Sequence, residues 1–282
     1  MVTSILKSII NIQKYANNDL NKITVITKSG QPRINKQGDP LDAYIKDSFC
    51  DSFFITDPNK KYNEYKKYLS HLGNQNKPPD IMIFNEEAIE VKKVEGITKS
   101  SLALNSSYPK QILLCDDPMI TEECKTCEQW KKKDMIYCIG NVEKNHIKVI
   151  TFVYGDCYAA KKETYEAVKK SMVDGIKSLK ITLSKTNELA RLNKIDPLEI
   201  TDLRIRGMFQ IAPPLSVFSE IIKPNYKSKL NVFLIVKKEK FESFDKKEKE
   251  AVKNNMSLED IKIKDPDDPQ KLLDAKLISF SF

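Results

Sequence analysis

Residues 78–93 read PPDIMIFNEEAIEVKK, in which two short runs of strand-forming residues flank a three-residue polar segment. Two such runs with a short polar break are typical of a β-hairpin, which we predict for residues 80–84 and 88–92. Two further runs, at residues 135–139 and 147–154, are more apolar and predict strands buried on both faces. Together the four runs predict a β-sheet at the centre of the fold.

Helical periodicity alternates with these strands along the chain. Pro40, preceded by Asp39, is a typical helix start. The segment from residue 237 onward is rich in Lys, Glu and Asp and predicts solvated helix and loop. The whole pattern predicts a mixed α/β fold with a central mixed sheet flanked by helices. The other predicted helices cover residues 4–16, 60–72, 120–133 and 160–180, and the further strands cover residues 203–211 and 232–236.

The composition argues against several classes of protein. The 282 residues include eight Gly, and no GxGxxG or GxxxxGK[ST] loop can be written, so these phosphate-binding loops are absent. Only two His are present, far apart in sequence, which disfavours sites built from several histidines. No apolar run approaches the roughly 18 residues of a membrane helix, and no secretory signal is found. We therefore predict a cytoplasmic protein without a membrane partner.

Six Cys are present, of which Cys124 and Cys127 form one CxxC motif. A second pair at zinc-binding spacing is missing, and neither His lies at the expected distance. Positions i and i+3 share a face on a helix, so packing is the favoured interpretation. A metal or redox role is the alternative.

The predicted hairpin carries polar residues whose relative positions depend on its turn. Alternate strand residues project to one face, so Glu90 and Lys92 project together and Val91 projects away. A two-residue turn would place Asp80 opposite Val91, on the wrong face. A three-residue turn at residues 85–87 would place Asp80 opposite Lys92, and a bulge would have the same effect. We therefore predict an odd-numbered turn or a bulge.

Two carboxylates and one ammonium on a single face suit phosphodiester chemistry. Mg²⁺ prefers carboxylate and carbonyl oxygens, so Asp80, Glu90 and the Val91 backbone carbonyl are candidate ligands. A bound metal lowers the pKa of a water molecule and stabilises charge developing on phosphorus. Lys92 can position or deprotonate that water. The structural alternative is an exposed hairpin in a chain of which 30% of the residues are charged.

Pro79-Asp80, nine further residues and Glu90-Val91-Lys92 resemble the PD-(D/E)XK motif of restriction-type nucleases. This resemblance implies a restriction-endonuclease-like α/β core in which Asp80 and Glu90 bind Mg²⁺ and Lys92 is the catalytic lysine. More specifically, the chain resembles the NgoPII family of type II restriction endonucleases. The stretches that carry this resemblance are GDPLDAYIKD at residues 38–47, residues 78–93, ALNSSYPK at residues 103–110 and DPLEITDLRIRGM at residues 196–208.

The family resemblance implies a Mg²⁺-dependent enzyme that cuts double-stranded DNA at a short GC-rich palindrome, GGCC in the family's namesake. A palindrome calls for a homodimer, because the symmetry of the protein mirrors that of its target. Asp42, on the helix before the hairpin, matches by position an acidic residue that often contacts a metal or its water in such nucleases. The alternative for Asp42 is a solvated helix carboxylate. Rival functions are a nuclease of the same fold in DNA repair or transposition, a non-catalytic DNA-binding protein, and an interaction protein with a chance motif.

The net charge of +8 suits an anionic partner, and two kinds of basic residue supply it. Lys suits contacts with phosphates, and Arg suits contacts with base edges. Of the 47 basic residues only four are Arg, and three of these are Arg191, Arg204 and Arg206. Because Arg pairs bidentately with guanine, Arg204 and Arg206 are predicted to read bases, with Arg191 as a third candidate. Phosphate contacts or a surface salt bridge are the alternative. The other candidate DNA contacts are Asn105, Ser106, Ser107, Tyr108 and Lys110 in a loop, for which a structural turn is the alternative, together with Lys93 and Gln37.

These predictions place one endonuclease domain over residues 1–282. Its catalytic core spans about residues 35–160, and its DNA-recognition region spans about residues 185–225. A Lys-rich C-terminal extension follows at about residues 237–282.

Overall fold

The structure is a computed structural model in which helices flank a central sheet. It describes residues 2–18, 20–22, 40–73, 77–97, 100–104, 107–177, 189–205 and 207–282. No helix within these ranges is both long and apolar enough to cross a membrane. The α-helices are α1 (Ile5–Lys14), α2 (Pro40–Cys50), α3 (Pro58–Tyr65), α4 (Glu122–Thr126), α5 (Lys162–Lys177), α6 (Pro214–Val217), α7 (Lys238–Ser243) and α8 (Lys246–Asn255).

The described strands form one large sheet and two small ones. They are β1 (Leu69–His71), β2 (Ile81–Ile83), β3 (Ala88–Glu95), β4 (Leu102–Ala103), β5 (Ile112–Leu114), β6 (Lys132–Glu143), β7 (His146–Tyr154), β8 (Ala190–Leu192), β9 (Leu203–Ile205), β10 (Gln210–Ile211), β11 (Asn231–Lys237), β12 (Ser257–Lys264) and β13 (Leu272–Ser281). The large sheet has the order β1-β2-β3-β6-β7-β11-β13-β12, and β5 pairs with β6 beside this path. Because β3 is parallel to β6 and β7 is parallel to β11 while other neighbours are antiparallel, the predicted mixed sheet is confirmed.

The core lies where the sequence is most apolar, on β6, β7 and β11. Helix α1 packs against α2, and α2 lies against the sheet. Gly140 in β6 allows this close approach, because a Cβ there would lie 2.6 Å from atoms of the Leu41 side chain. Helix α2 also buries Tyr44 and Ile45. Helix α2 is thereby fixed next to the strands that carry the predicted motif.

Several element boundaries differ from the sequence prediction. The helix predicted for residues 60–72 ends at Tyr65, and β1 follows it. The helix predicted for residues 120–133 is reduced to α4, because β6 already begins at Lys132. The strand predicted for residues 203–211 is divided into β9 and β10, which belong to different small sheets.

The C-terminal extension contains more than the predicted helix and loop. After α7 and α8 it forms β12 and β13, and β13 pairs with both β11 and β12 along its length. The charged composition concealed this pattern because β12 is an edge strand of the sheet and most of its side chains face solvent. The extension is therefore part of the central sheet.

Candidate active site

The β2–β3 hairpin brings the three motif residues to one face. Its register pairs Ile81 with Ile89, and continuing that register by one residue places Asp80 across from Glu90. The turn is odd-numbered, as predicted, since Ile83 N donates to Glu87 O at 3.0 Å around three intervening residues. The predicted register, with Asp80 opposite Lys92, is wrong because the turn lies one residue earlier in the chain. The shift is an even number of positions, so the shared face is preserved.

Short contacts connect the motif residues. Lys92 Nζ lies 2.6 Å from Glu90 Oε1. Val91 N donates a hydrogen bond of 2.7 Å to Asp80 Oδ2, so the Asp80 carboxylate accepts this bond from the residue immediately before β2. Glu90 is buried, whereas Asp80 and Lys92 are half-buried. A substrate could therefore reach the Lys92 ammonium and the Asp80 carboxylate from one side.

The site carries more negative charge than its own groups neutralise. Burial and the nearby Asp80 charge raise the pKa of Glu90 to about 7, although the Lys92 charge opposes them. Burial lowers the pKa of Lys92, but the Glu90 and Asp80 charges outweigh it, so the pKa is raised overall. Glu90 Oε2 is buried and has no hydrogen-bond partner among the described residues. An added cation would relieve this imbalance.

Asp42 lies on α2, behind the hairpin. Lys46 Nζ contacts Asp42 Oδ2 at 2.6 Å and also donates to Leu72 O at 2.8 Å. Burial raises the pKa of the Cys138 thiol, and the charges of Asp42 and Asp80 raise it further, so both carboxylates act on the same buried atom. In the described ranges no group of three or more His, Cys, Asp or Glu side chains could hold a metal ion. A Mg²⁺ ion at Asp80 and Glu90 would thus need backbone, water or substrate oxygens as well.

The loop predicted to contact DNA lies largely inside the protein. Lys110 is buried, and its Nζ donates to Ser107 Oγ at 2.7 Å and lies 3.3 Å from Asp117 Oδ2. The same ammonium lies 4.0 Å from the centre of the Tyr108 ring. Ser107 is buried as well, and Tyr108 is half-buried. These three side chains therefore face internal partners in this structure, whereas Asn105 and Ser106 lie outside the described residues.

Lys110 nevertheless belongs to the surroundings of the site. Burial lowers the pKa of Lys110, and the Asp117 and Glu90 charges oppose that effect. Lys110 in turn lowers the pKa of Glu90, although burial and Asp80 dominate there. Tyr108 stacks on Tyr165 of α5 with ring centres 5.4 Å apart, and Phe209 contacts both rings edge-on. This aromatic cluster joins the segment after β3 to the segment that follows β9.

Two of the predicted DNA-reading arginines lie opposite each other. Antiparallel β8 and β9 pair Arg191 with Arg204, so the two side chains share one face of a two-stranded ribbon. Both are exposed, and Arg191 contacts Asp202 at 2.6 Å. Arg206 and Gln37 lie outside the described residues. Lys93 alternates with Lys92 on β3, projects to the other face and contacts Glu95 at 3.0 Å.

Sequence reasoning missed the side chains that hold the hairpin turn. Lys133 and Glu128 form a buried ion pair of 2.8 Å beside it. Glu87 is buried and accepts a hydrogen bond of 2.7 Å from Tyr154 OH, and Lys240 of the C-terminal extension lies 3.1 Å from the same Glu87 oxygen. Lys133 ends a run of three Lys, which is typical of a solvated segment, so its sequence context gave no signal.

The cysteines serve packing in this structure. All six are free thiols. Cys124 is buried with its Sγ 3.2 Å from the Met82 sulfur, and Cys127 Sγ contacts the Cys124 carbonyl at 3.1 Å. The CxxC motif thus packs against Met82 of β2, as the packing interpretation predicts.

Comparisons with known proteins converge on one family. The family model described as NgoPII restriction endonuclease matches residues 3–267. A curated relative, the type II restriction enzyme NgoPII of Neisseria gonorrhoeae, is 41% identical over 281 residues, which cover 98% of this chain and 99% of the relative. No solved structure gives a significant match. The family match includes the hairpin, the arginine ribbon and much of the C-terminal extension.

Proposed function

The chain belongs to the NgoPII restriction endonuclease family, and from that premise we propose that it is a Mg²⁺-dependent enzyme that cuts double-stranded DNA at a short GC-rich palindrome such as GGCC. The observation that carries the proposal is the meeting of Asp80, Glu90 and Lys92 on one face of the β2–β3 hairpin. Two carboxylates beside a lysine are suited to phosphodiester hydrolysis.

Lys92 acts through its charge in the proposed reaction. The Glu90 and Asp80 charges raise the pKa of Lys92, so in the metal-free protein its side chain is an ammonium that donates hydrogen bonds. Its contact with Glu90 fixes the Nζ atom on the substrate side of the hairpin. From there it stabilises the negative charge that develops on the phosphate and orients the attacking water.

Asp80 and Glu90 are proposed to hold the Mg²⁺ ion, with the Val91 carbonyl as a further candidate, whereas Asp42 is paired with Lys46 behind the hairpin. Their fit rests on the buried Glu90 Oε2, which has no hydrogen-bond partner in the described part of the chain, and on the oxygen donors that Mg²⁺ prefers. When bound, the ion would supply Lewis-acid stabilisation of the reacting phosphate. The two carboxylates would position it, and the burial of Glu90 would limit competition from bulk water.

DNA reading is proposed for the β8–β9 ribbon. A two-stranded ribbon fits the major groove, and Arg191 and Arg204 on one face would present two guanidinium groups to guanine edges there. We place this ribbon in a recognition region of about residues 185–225, beside a catalytic core of about 35–160 and a C-terminal extension of about 237–282. A palindromic target favours a homodimer, one subunit for each strand. Six free thiols suit a cytoplasmic enzyme.

Digestion of a sequenced plasmid tests the proposal. With Mg²⁺ the protein should give discrete fragments whose mapped ends share one palindrome, and EDTA should abolish cutting. The Lys92→Ala variant should bind the mapped site while leaving it intact. A smear of random fragments would favour a structure-specific nuclease, and an intact plasmid with Mg²⁺ and with Mn²⁺ would refute the enzyme assignment.

A further inference from the structure

We propose that Lys133, acting with Glu128, is a positioning residue that holds the β2–β3 turn in the register that sets Asp80 across from Glu90. The inference rests on the proposed function of that site. It concerns residues at the tip of the hairpin, outside the motif of Asp80, Glu90 and Lys92. Lys133 and Glu128 together form what we call the turn clamp.

The Lys133 ammonium is fully occupied by the turn and its partner. Its side chain is 2% exposed, and Nζ donates to Ile83 O at 2.7 Å, to Glu86 O at 2.8 Å and to Glu128 Oε1 at 2.8 Å. A lysine ammonium has three hydrogens, so each is directed to a separate acceptor. Two of these acceptors are backbone carbonyls at opposite ends of the turn. Lys133 therefore contacts the backbone of the turn and none of the turn's side chains.

Glu128 accepts a hydrogen bond from a backbone N–H of the same turn. Its Oε2 accepts a hydrogen bond of 2.8 Å from Asn85 N, and its Oε1 accepts one of 2.6 Å from Ser70 Oγ. Burial opposes ionisation of Glu128, but the hydrogen bonds from Lys133, Ser70 and Asn85 outweigh it and lower its pKa. Asn85 has a φ of 61°, a left-handed conformation that Asn adopts more readily than most residues. The turn clamp thus binds the one residue whose backbone defines the turn.

The hairpin needs such a constraint because its own pairing is short. β2 has three residues, and only two residue pairs join it to β3. A slip by one position would turn Asp80 to the opposite face from Glu90, and a slip by two would move it toward Lys92. In both shifted registers β2 still consists of apolar residues, so hydrophobic burial alone discriminates weakly between these registers and the observed one. The turn clamp fixes the register from outside the strand pair.

Lys61 offers a matched control. Its Nζ contacts the buried Asp47 at 2.7 Å, so Lys61→Met also breaks an ion pair with a buried carboxylate. Lys61 lies on α3 and has no contact with the turn. Comparison of Lys133→Met with Lys61→Met therefore separates loss of register from general loss of stability. Glu128→Gln is a milder second variant that keeps the side-chain size and one oxygen acceptor.

The experiment measures kcat and KM on a short duplex containing the mapped cleavage site, together with amide hydrogen exchange of the peptide covering residues 80–90. Lys133→Met should lower kcat about 100-fold with little change in KM, since a misplacement of about 1 Å in a catalytic group costs about that factor. Exchange of the 80–90 amides should accelerate in Lys133→Met and in Glu128→Gln. Lys61→Met should leave kcat and that exchange at wild-type values at a temperature well below its unfolding transition.

Three results would overturn the inference. These are a wild-type kcat in Lys133→Met, equal loss of kcat in Lys133→Met and Lys61→Met, and unchanged exchange in residues 80–90 of both turn-clamp variants. If Lys133→Met does not fold, Glu128→Gln decides by the same two measurements. Failure of the wild type to cut DNA would refute the proposed function instead, and the exchange data would still test the turn clamp.

Discussion

Replacing Lys110 with methionine should destabilise the protein rather than weaken its contact with DNA. The Lys110 and Asp117 side chains are 4% and 9% exposed, and their charged atoms lie 3.3 Å apart. Removing one partner leaves a buried, unpaired charge, which costs roughly 3–5 kcal/mol. At about 2 °C per kcal/mol for a chain of this size, the unfolding temperature should fall by about 6–10 °C.

A double-mutant cycle assigns the loss to the pair. Asp117→Asn keeps the acceptor for Met119 N, whose hydrogen bond to Asp117 Oδ1 is 2.8 Å long, and removes the charge. The cycle of Lys110→Met and Asp117→Asn should show a coupling of about 2–3 kcal/mol, measured by thermal and urea unfolding. An unchanged unfolding temperature in Lys110→Met, combined with weaker binding to DNA, would refute the internal role and restore the predicted DNA contact.

Three further changes have defined outcomes. Glu90→Gln should raise the unfolding temperature of the metal-free protein at pH 8 and much less at pH 5. The pKa of Glu90 is about 7 in the folded protein against an ordinary 4.5, so stability is lost as the pH rises through that window. Calorimetry at both pH values checks this, and an equal gain at pH 5 would contradict it. In a Lys92→Ala background, Arg204→Ala should weaken binding to the mapped site about 5- to 150-fold and leave binding to random DNA nearly unchanged. The factor corresponds to the loss of a bidentate base contact worth about 1–3 kcal/mol, and equal losses in gel-shift titrations would rule out base reading. Gly155→Ala should destabilise by roughly 1–3 kcal/mol, since its Cβ would lie 2.3 Å from Lys110 O, whereas Gly175→Ala, with open space around it, should not; urea unfolding compares the two.

The hairpin shows how far local pattern reasoning extends. Its two strands and the common face of Glu90 and Lys92 follow from alternation along residues 80–92. The odd-numbered turn that adds Asp80 to this face is a hypothesis, which the observed pairing confirms. The register does not follow from alternation, because the turn position depends on Lys133 and Glu128, which lie about 45 residues further along the chain. A contact between distant segments leaves no trace in the local sequence pattern. The common face survived because its prediction needed only parity.

Polar composition was an incomplete guide at two places. The loop at residues 103–110 was predicted to contact DNA, with a structural turn as the alternative. In its described part, Asp117 and the Tyr108 ring contact Lys110 and hold its side chain inside, and the contact with DNA stays a prediction. In the C-terminal extension, charged residues predicted helix and loop. Residues 257–264 read SLEDIKIK, whose Ile-Lys alternation is a strand signal on an edge with one solvated face. That signal could have been recognised, whereas the burial of Lys110 could not.

The position of β13 has a consequence for the order of synthesis. This strand lies between β11 and β12, and the main chain of Phe282 exchanges hydrogen bonds with Leu230, before β11. A ribosome delivers β11 long before β13, so the apolar edge of β11 stays open until translation has passed residue 281. A product of premature termination would carry that open edge, which favours aggregation over function.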